Sequence, residues 1–262
     1  MRSRNGWWKI AWPSGTGAGV LLRKYARRIT PTWRSATADA SGGDSAATAA
    51  APPMQLFQSL GDNCEFGLAQ SRLGANPLGL FRYANTSIDG LIAAFESRFA
   101  AFQSPDCIEV AYRHFPDGGR EYITTVPRYG FFTHTGYQSD QIGADEVRRK
   151  EIKRLSFLAR NIVEDATTGQ KLFVYKTNVP VPEPKLQALH AALGRYGPTW
   201  LLWVTPATAD WEAGRVAEIS DRLIRGSIER FAPYENAGDF LVEAWRTICE
   251  RAYRHWSARQ GP

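Results

Sequence analysis

Three cysteines, Cys64, Cys107 and Cys249, are the residues most able to do covalent chemistry in this chain, and their setting differs. Cys64 follows Gly61-Asp62-Asn63 and precedes a stretch with helical character, so it falls in the first turn of an expected helix. Free backbone N–H groups and the positive end of the dipole favour a thiolate there. Asp62 with Glu65 three residues on reads as a capping box, and Gly74 reads as the helix stop. A thiol nucleophile needs a base, a group that orients the base, and oxyanion donors. His134 and Asn178 each end an expected strand and supply base and orienter in the order Cys, His, Asn. The backbone N–H of Cys64, the Asn63 amide and Gln58 are the oxyanion candidates. Asp140 is a substitute orienter and His255 a substitute base. The same turn, Gly61, Asp62, Asn63 and Cys64 at a helix N-terminus, also suits an anion, with Arg82 or Lys176 as counter-charge.

Ser59-Leu60-Gly61-Asp62-Asn63-Cys64 followed by a helix resembles a bacterial uncharacterised family described as papain-like cysteine peptidases. The likeness continues through residues 77–82, 129–134, 148–160 and 171–178. The resemblance implies thiol-dependent hydrolysis or acyl transfer on an amide or ester, the substrate being an unknown small molecule or peptide. Where many members carry a Pro-Phe-Asp-Trp-like box after the first helix, this chain has Phe81-Arg82-Tyr83-Ala84-Asn85, so no role of that acidic box carries over. A non-enzymatic module binding an anion or glycan precursor at residues 61–64 is the alternative function.

The spacing of wide, unpaired cysteines and four scattered histidines gives no disulfide framework, no structural zinc and no metal or other cofactor. Charge is unevenly placed: residues 1–34 carry +8, while the remainder has 24 basic and 26 acidic residues. A near-neutral body argues against nucleic-acid binding.

The elements that must position these groups are read from periodicity. Residues 1–34 are a basic tail with Trp7, Trp8, Trp12 and Trp33, suited to weak contact with an anionic membrane surface. Residues 35–53 are an Ala/Ser/Gly/Thr linker, and tail and linker together are expected to be disordered. Neither has the apolar run of a signal peptide or membrane span, which leads to the expectation of a cytoplasmic protein. Residues 54–259 are expected to form a single α/β domain, a mixed β-sheet flanked by helices. Strands are expected near 54–60, 107–112, 121–126, 129–135, 171–176 and 200–204, with a hairpin turn at 116–119. Helices are expected near 64–74, 88–102, 145–165, 183–193 and 236–255. The strand, helix, strand order over 171–204 favours a parallel pair, whose carboxyl rim is where ligands collect.

Overall fold

The computed structural model describes residues 53–114 and 119–259. The basic tail, the linker apart from Pro53, and most of the expected turn at 116–119 lie outside the described residues. In chain order the elements are β1 (Phe57–Ser59), α1 (Glu65–Arg72), β2 (Ala84–Asn85), α2 (Ile88–Glu96), β3 (Glu109–His114), β4 (Arg120–Val126) and β5 (Phe131–Gln138). Then come α3 (Ala144–Thr168), β6 (Leu172–Lys176), α4 (Glu183–Gly194), β7 (Trp200–Pro206), β8 (Val216–Ser220), β9 (Leu223–Ile228) and α5 (Val242–Ser257).

The fold is α/β, with a mixed sheet flanked by helices. Its five strands run in the order β1-β6-β7-β9-β8, the first four parallel and β8 antiparallel at the edge. The β6-α4-β7 unit is the parallel crossover expected from its sequence. The expected strands after α2 form a separate four-stranded antiparallel sheet, β2-β5-β4-β3, rather than an extension of the first. Separation follows from local connectivity: β3, β4 and β5 are joined by short links and pair with one another before the chain enters α3.

Side chains on the five-stranded sheet alternate between two cores. Phe57, Leu172, Val174, Leu202 and Ile224 face α1 and α5, where they meet Phe66, Trp245 and Ile248. Leu60, Phe173, Tyr175, Leu201 and Leu223 face the other way, onto α2, α3, α4 and the small sheet. Among the described residues no helix is long and apolar enough to cross a membrane.

The β8-β9 hairpin was not among the expected strands. Its turn is Asp221-Arg222, with Arg222 at φ 57, a left-handed conformation for which a Gly or Asn would have been the readable signal. The first strand is shorter than expected, because Met54–Leu56 is a 3-10 turn whose Leu56 N–H donates to Pro53 O at 2.7 Å.

Helix α2 packs onto the turn between β4 and β5 through Gly90, where an added Cβ would lie 2.0 Å from the Tyr129 carbonyl oxygen. Alanine improves helix propensity by about 1 kcal/mol, but forcing backbone apart costs about 1–3 kcal/mol or more. Gly90→Ala is therefore expected to lower the melting temperature. A thermal melt showing stabilisation would mean that α2 does not approach Tyr129 this closely.

Candidate functional site

The chain leaves β1 through Gly61, whose φ of +31° and the 2.9 Å gap between a built Cβ and Asn63 O make a side chain there strained. The turn delivers Cys64 to the N-cap of α1, with its carbonyl accepting from Leu68 N–H at 2.9 Å. The capping box is not what forms. No side chain caps the helix at Cys64; Asn63 Oδ1 instead accepts from Glu65 N–H at 3.0 Å. Asp62 and Glu65 are engaged elsewhere, on one buried lysine.

Lys176, at the end of β6, is fully buried, with Nζ 2.9 Å from Glu65 and 3.1 Å from Asp62. It also donates to Asn178 Oδ1 at 2.8 Å and lies over the Phe231 ring. Glu65, itself fully buried, accepts from Trp245 Nε1–H at 3.0 Å and Ala232 N–H at 3.2 Å. Asp62 accepts from Asn178 N–H at 3.1 Å and from the Tyr234 hydroxyl. Burial raises the Glu65 carboxyl above its ordinary range, against the lowering effect of Lys176. The turn before Cys64 is thus clamped to β6, α5 and the segment after β9.

Across the turn stands the small sheet. Thr86, just after β2, donates its hydroxyl to Leu60 O at 3.0 Å and Gly61 O at 2.8 Å. Its N–H points to Asp62 O. This fastens β2 to the end of β1, and β2 pairs with β5 through Ala84 with Thr133 and Asn85 with Phe132. His134 lies inside β5 rather than at a strand end, half-buried near the Phe132 ring. Its Nδ1 is 3.0 Å from Glu121 Oε2, and Glu121 Oε1 accepts from Gly136 N–H at 3.0 Å. A carboxylate only accepts, so Nδ1 carries hydrogen, and in the neutral imidazole Nε2 is then the proton acceptor. Glu121 sits where the β4-β5 register shifts, an irregularity of the kind that re-aims a side chain.

Cys64 is half-buried, whereas Cys107 and Cys249 are buried. Its thiol is pushed up to about 12, first by burial and then by the Glu121 carboxylate, against smaller opposing effects of Arg113 and Lys176. The expected thiolate is therefore a neutral thiol at rest: loss of hydration and a nearby carboxylate outweigh the helix terminus. The same influences place Glu121 and Arg113, on the small sheet, within electrostatic reach of the sulfur. No hydrogen bond joins Sγ to His134.

The other expected site residues have different places. Asn178 does not orient His134; its amide joins Lys176 to Ala232 O, donating to the latter at 2.7 Å. Gln58 is turned onto α3, its Nε2 donating to Asp165 at 2.8 Å and Leu78 O at 3.3 Å, so it cannot be an oxyanion donor at Cys64. Arg82 is buried among acceptors of helix α1 and of the loop that follows it. It donates to Pro77 O, Ala75 O, Gly67 O, Ser71 Oγ and Asn76 Oδ1, and is not a free counter-charge. Lys176 is likewise neutralised internally. Asn63 directly precedes Cys64 in the chain: its residue is 6% exposed and its buried Nδ2 has no partner. Recesses of about 510 Å³ beside Cys107 and 490 Å³ beside Asp165 are lined by other residues. Among the described residues no group of His, Cys, Asp and Glu is arranged to hold a metal ion.

Glu121 was the residue that sequence reasoning did not single out. It lies 13 positions from His134, a separation that carries no motif. Only the pairing of β4 with β5 brings the two together.

Two outcomes follow from these contacts. Lys176→Met removes the counter-charge of two buried carboxylates, a change worth about 3–5 kcal/mol, or roughly 10 °C in melting temperature for a domain of this size. A melt within 2 °C of the parent would show that Asp62 and Glu65 do not need the lysine. For Cys64, a thiol near 12 is thiolate in only about one molecule in ten thousand at pH 8. Native iodoacetamide labelling should reach Cys64 before the two buried cysteines, yet slowly, and its rate should climb without a plateau to pH 10. A plateau below pH 8 would contradict the neutral thiol.

No family model, no curated protein and no solved structure matches this chain.

Proposed function

We propose that this protein is a thiol-dependent hydrolase or acyltransferase acting on an amide or ester, with Cys64 as nucleophile, His134 as base and Glu121 as the group that orients the base. The observation that carries the reading is the double role of one buried carboxylate: Glu121 holds His134 Nδ1 at 3.0 Å and is close enough to raise the Cys64 thiol. The resemblance of residues 59–64 to the papain-like family supports the nucleophile, while the orienter is Glu121 in place of Asn178.

Because the thiol is neutral at rest, proton transfer accompanies attack. Sγ bonds to the acyl carbon as its proton passes to His134 Nε2, and Glu121 stabilises the imidazolium so formed. The imidazolium then protonates the leaving amine or alcohol as its bond to carbon breaks. Water, or an acceptor nucleophile, gives its proton to His134 as it attacks the thioester; the C–S bond breaks, and the imidazolium returns that proton to Sγ, restoring the thiol. The unpartnered Asn63 Nδ2 and the Cys64 backbone N–H are the donors assigned to the oxyanion. Three free thiols suit a reducing compartment, and a cytoplasmic setting belongs to this proposal. The anion-binding alternative at the same turn is weakened because Arg82 and Lys176 are both engaged within the protein.

Glu121→Gln separates catalysis from structure. Removing the negative charge should lower the Cys64 pKa, so the thiol becomes easier to alkylate at neutral pH. Turnover of an activated thiol-sensitive ester should nonetheless fall by ~10²-fold or more, since the imidazolium loses its partner. Faster alkylation with undiminished turnover would sink Glu121 as the orienter. No turnover in the parent protein across a panel of activated amides and esters would remove the reading itself.

A further inference from the structure

On the face of the large sheet that carries Tyr175, strands β6, β7, β9 and β8 place Tyr175, Trp203, Arg225 and Ala217 in one transverse row. The Arg225 guanidinium carbon lies 5.3 Å from the Trp203 ring centre and 4.5 Å from that of Trp211. Arg215 covers the Trp211 ring at 4.1 Å. Both guanidinium carbons therefore lie within 4.5 Å of the centre of one indole. The segment carrying Trp211 and Arg215 is fixed by main-chain bonds: Thr208 pairs with Trp211, Gly214 N–H donates to Ser227 O at 2.8 Å, and Ser227 N–H donates to Arg215 O at 3.0 Å.

The hydrogen bonds of these guanidiniums within the protein go to neutral acceptors. Arg225 Nε reaches Thr205 Oγ1 at 3.4 Å, and Arg215 Nη1 donates to Asp210 O at 3.1 Å. Arg148, Arg230, Arg246 and Arg259, by contrast, each meet a carboxylate. Among the described residues, no carboxylate lies within 4.0 Å of Arg215 or Arg225. Burial and the charge of Arg215 together lower the pKa of Arg225, so the pair stands in mutual repulsion. Aromatic stacking holds both in place, which reduces the ordering cost of binding an anion.

We propose that Arg215 and Arg225, held on the rings of Trp203 and Trp211, form a binding site for the phosphate group of a small phosphorylated ligand. The charge decides the class. A phosphate monoester carries about −1.5 to −2 near neutral pH and offers several acceptor oxygens, which balances two guanidiniums; a single carboxylate leaves one cation unmatched. Planar guanidinium forks suit the tetrahedral oxygens by paired hydrogen bonds. The site stands on different residues from Cys64, Glu121 and His134, and does not depend on what those do.

Calorimetric titration of the full-length chain with phenyl phosphate, at constant ionic strength, tests the site. Saturable binding is expected, at least tenfold weaker in Arg225→Gln and in Arg215→Gln, and unchanged in Arg230→Gln and Cys64→Ser. Arg215 is exposed, so its variant reads the site even if Arg225→Gln fails to fold. Acetate in place of phenyl phosphate should bind at least tenfold more weakly. Absence of binding above a chloride blank, equal affinity for acetate, or a response of Arg215→Gln no different from Arg230→Gln would each overturn the proposal.

Discussion

The structure depends on a fully buried ammonium, Lys176, held between Glu65 and Asp62. Stripping water from three charges is costly, and the cost is offset only where the geometry satisfies nearly every group. Here the carboxylates collect additional donors from Trp245, Ala232, Tyr234 and Asn178. The donors come from three separate parts of the chain, so the cluster can form only when the end of β1, the end of β6, the segment after β9 and helix α5 have all arrived. An apolar cluster would tolerate sliding; this one fixes a single arrangement of the turn that presents Cys64.

A second constraint is neutral and acts from the opposite side. The Thr86 hydroxyl bonds to two consecutive carbonyls, of Leu60 and Gly61, and so docks the antiparallel sheet against the rim of the parallel one. The proposed nucleophile belongs to the first sheet, the proposed base and orienter to the second. Their separation is therefore set by the junction of two sheets and the register irregularity at Glu121, rather than by one rigid element.

Much of this was readable from periodicity and turn residues. Strong 3.6-residue patterns gave α3 and α4 almost at their true limits, and Gly61 and Gly74 mark the turn and the helix end they were expected to mark. What escaped reading shares a cause. Asp62 and Glu65 have capping-box spacing, yet their carboxylates answer to a lysine more than 110 positions away, and local spacing holds no trace of that partner. Lys176 and Arg82 look like available cations in sequence because burial is invisible there; one lies among carboxylates, the other among neutral acceptors of helix α1 and the loop after it. Asn178 had the right chain order for an orienter, but its backbone follows β6 into the buried cluster, whereas Glu121 reaches His134 through cross-strand pairing. The β8-β9 hairpin turns on Asp221-Arg222, with no glycine to announce it.

The protonated state of Cys64 has a consequence for the protein's life in an oxidising burst. Peroxide attacks thiolates, and the climb from sulfenic to irreversible sulfinic and sulfonic acids begins with that species. Burial and the Glu121 carboxylate keep the thiolate population low in the resting protein. The cysteine that would otherwise be the first of the three to be lost is in this way shielded from hydrogen peroxide, first by loss of hydration and then by a neighbouring negative charge.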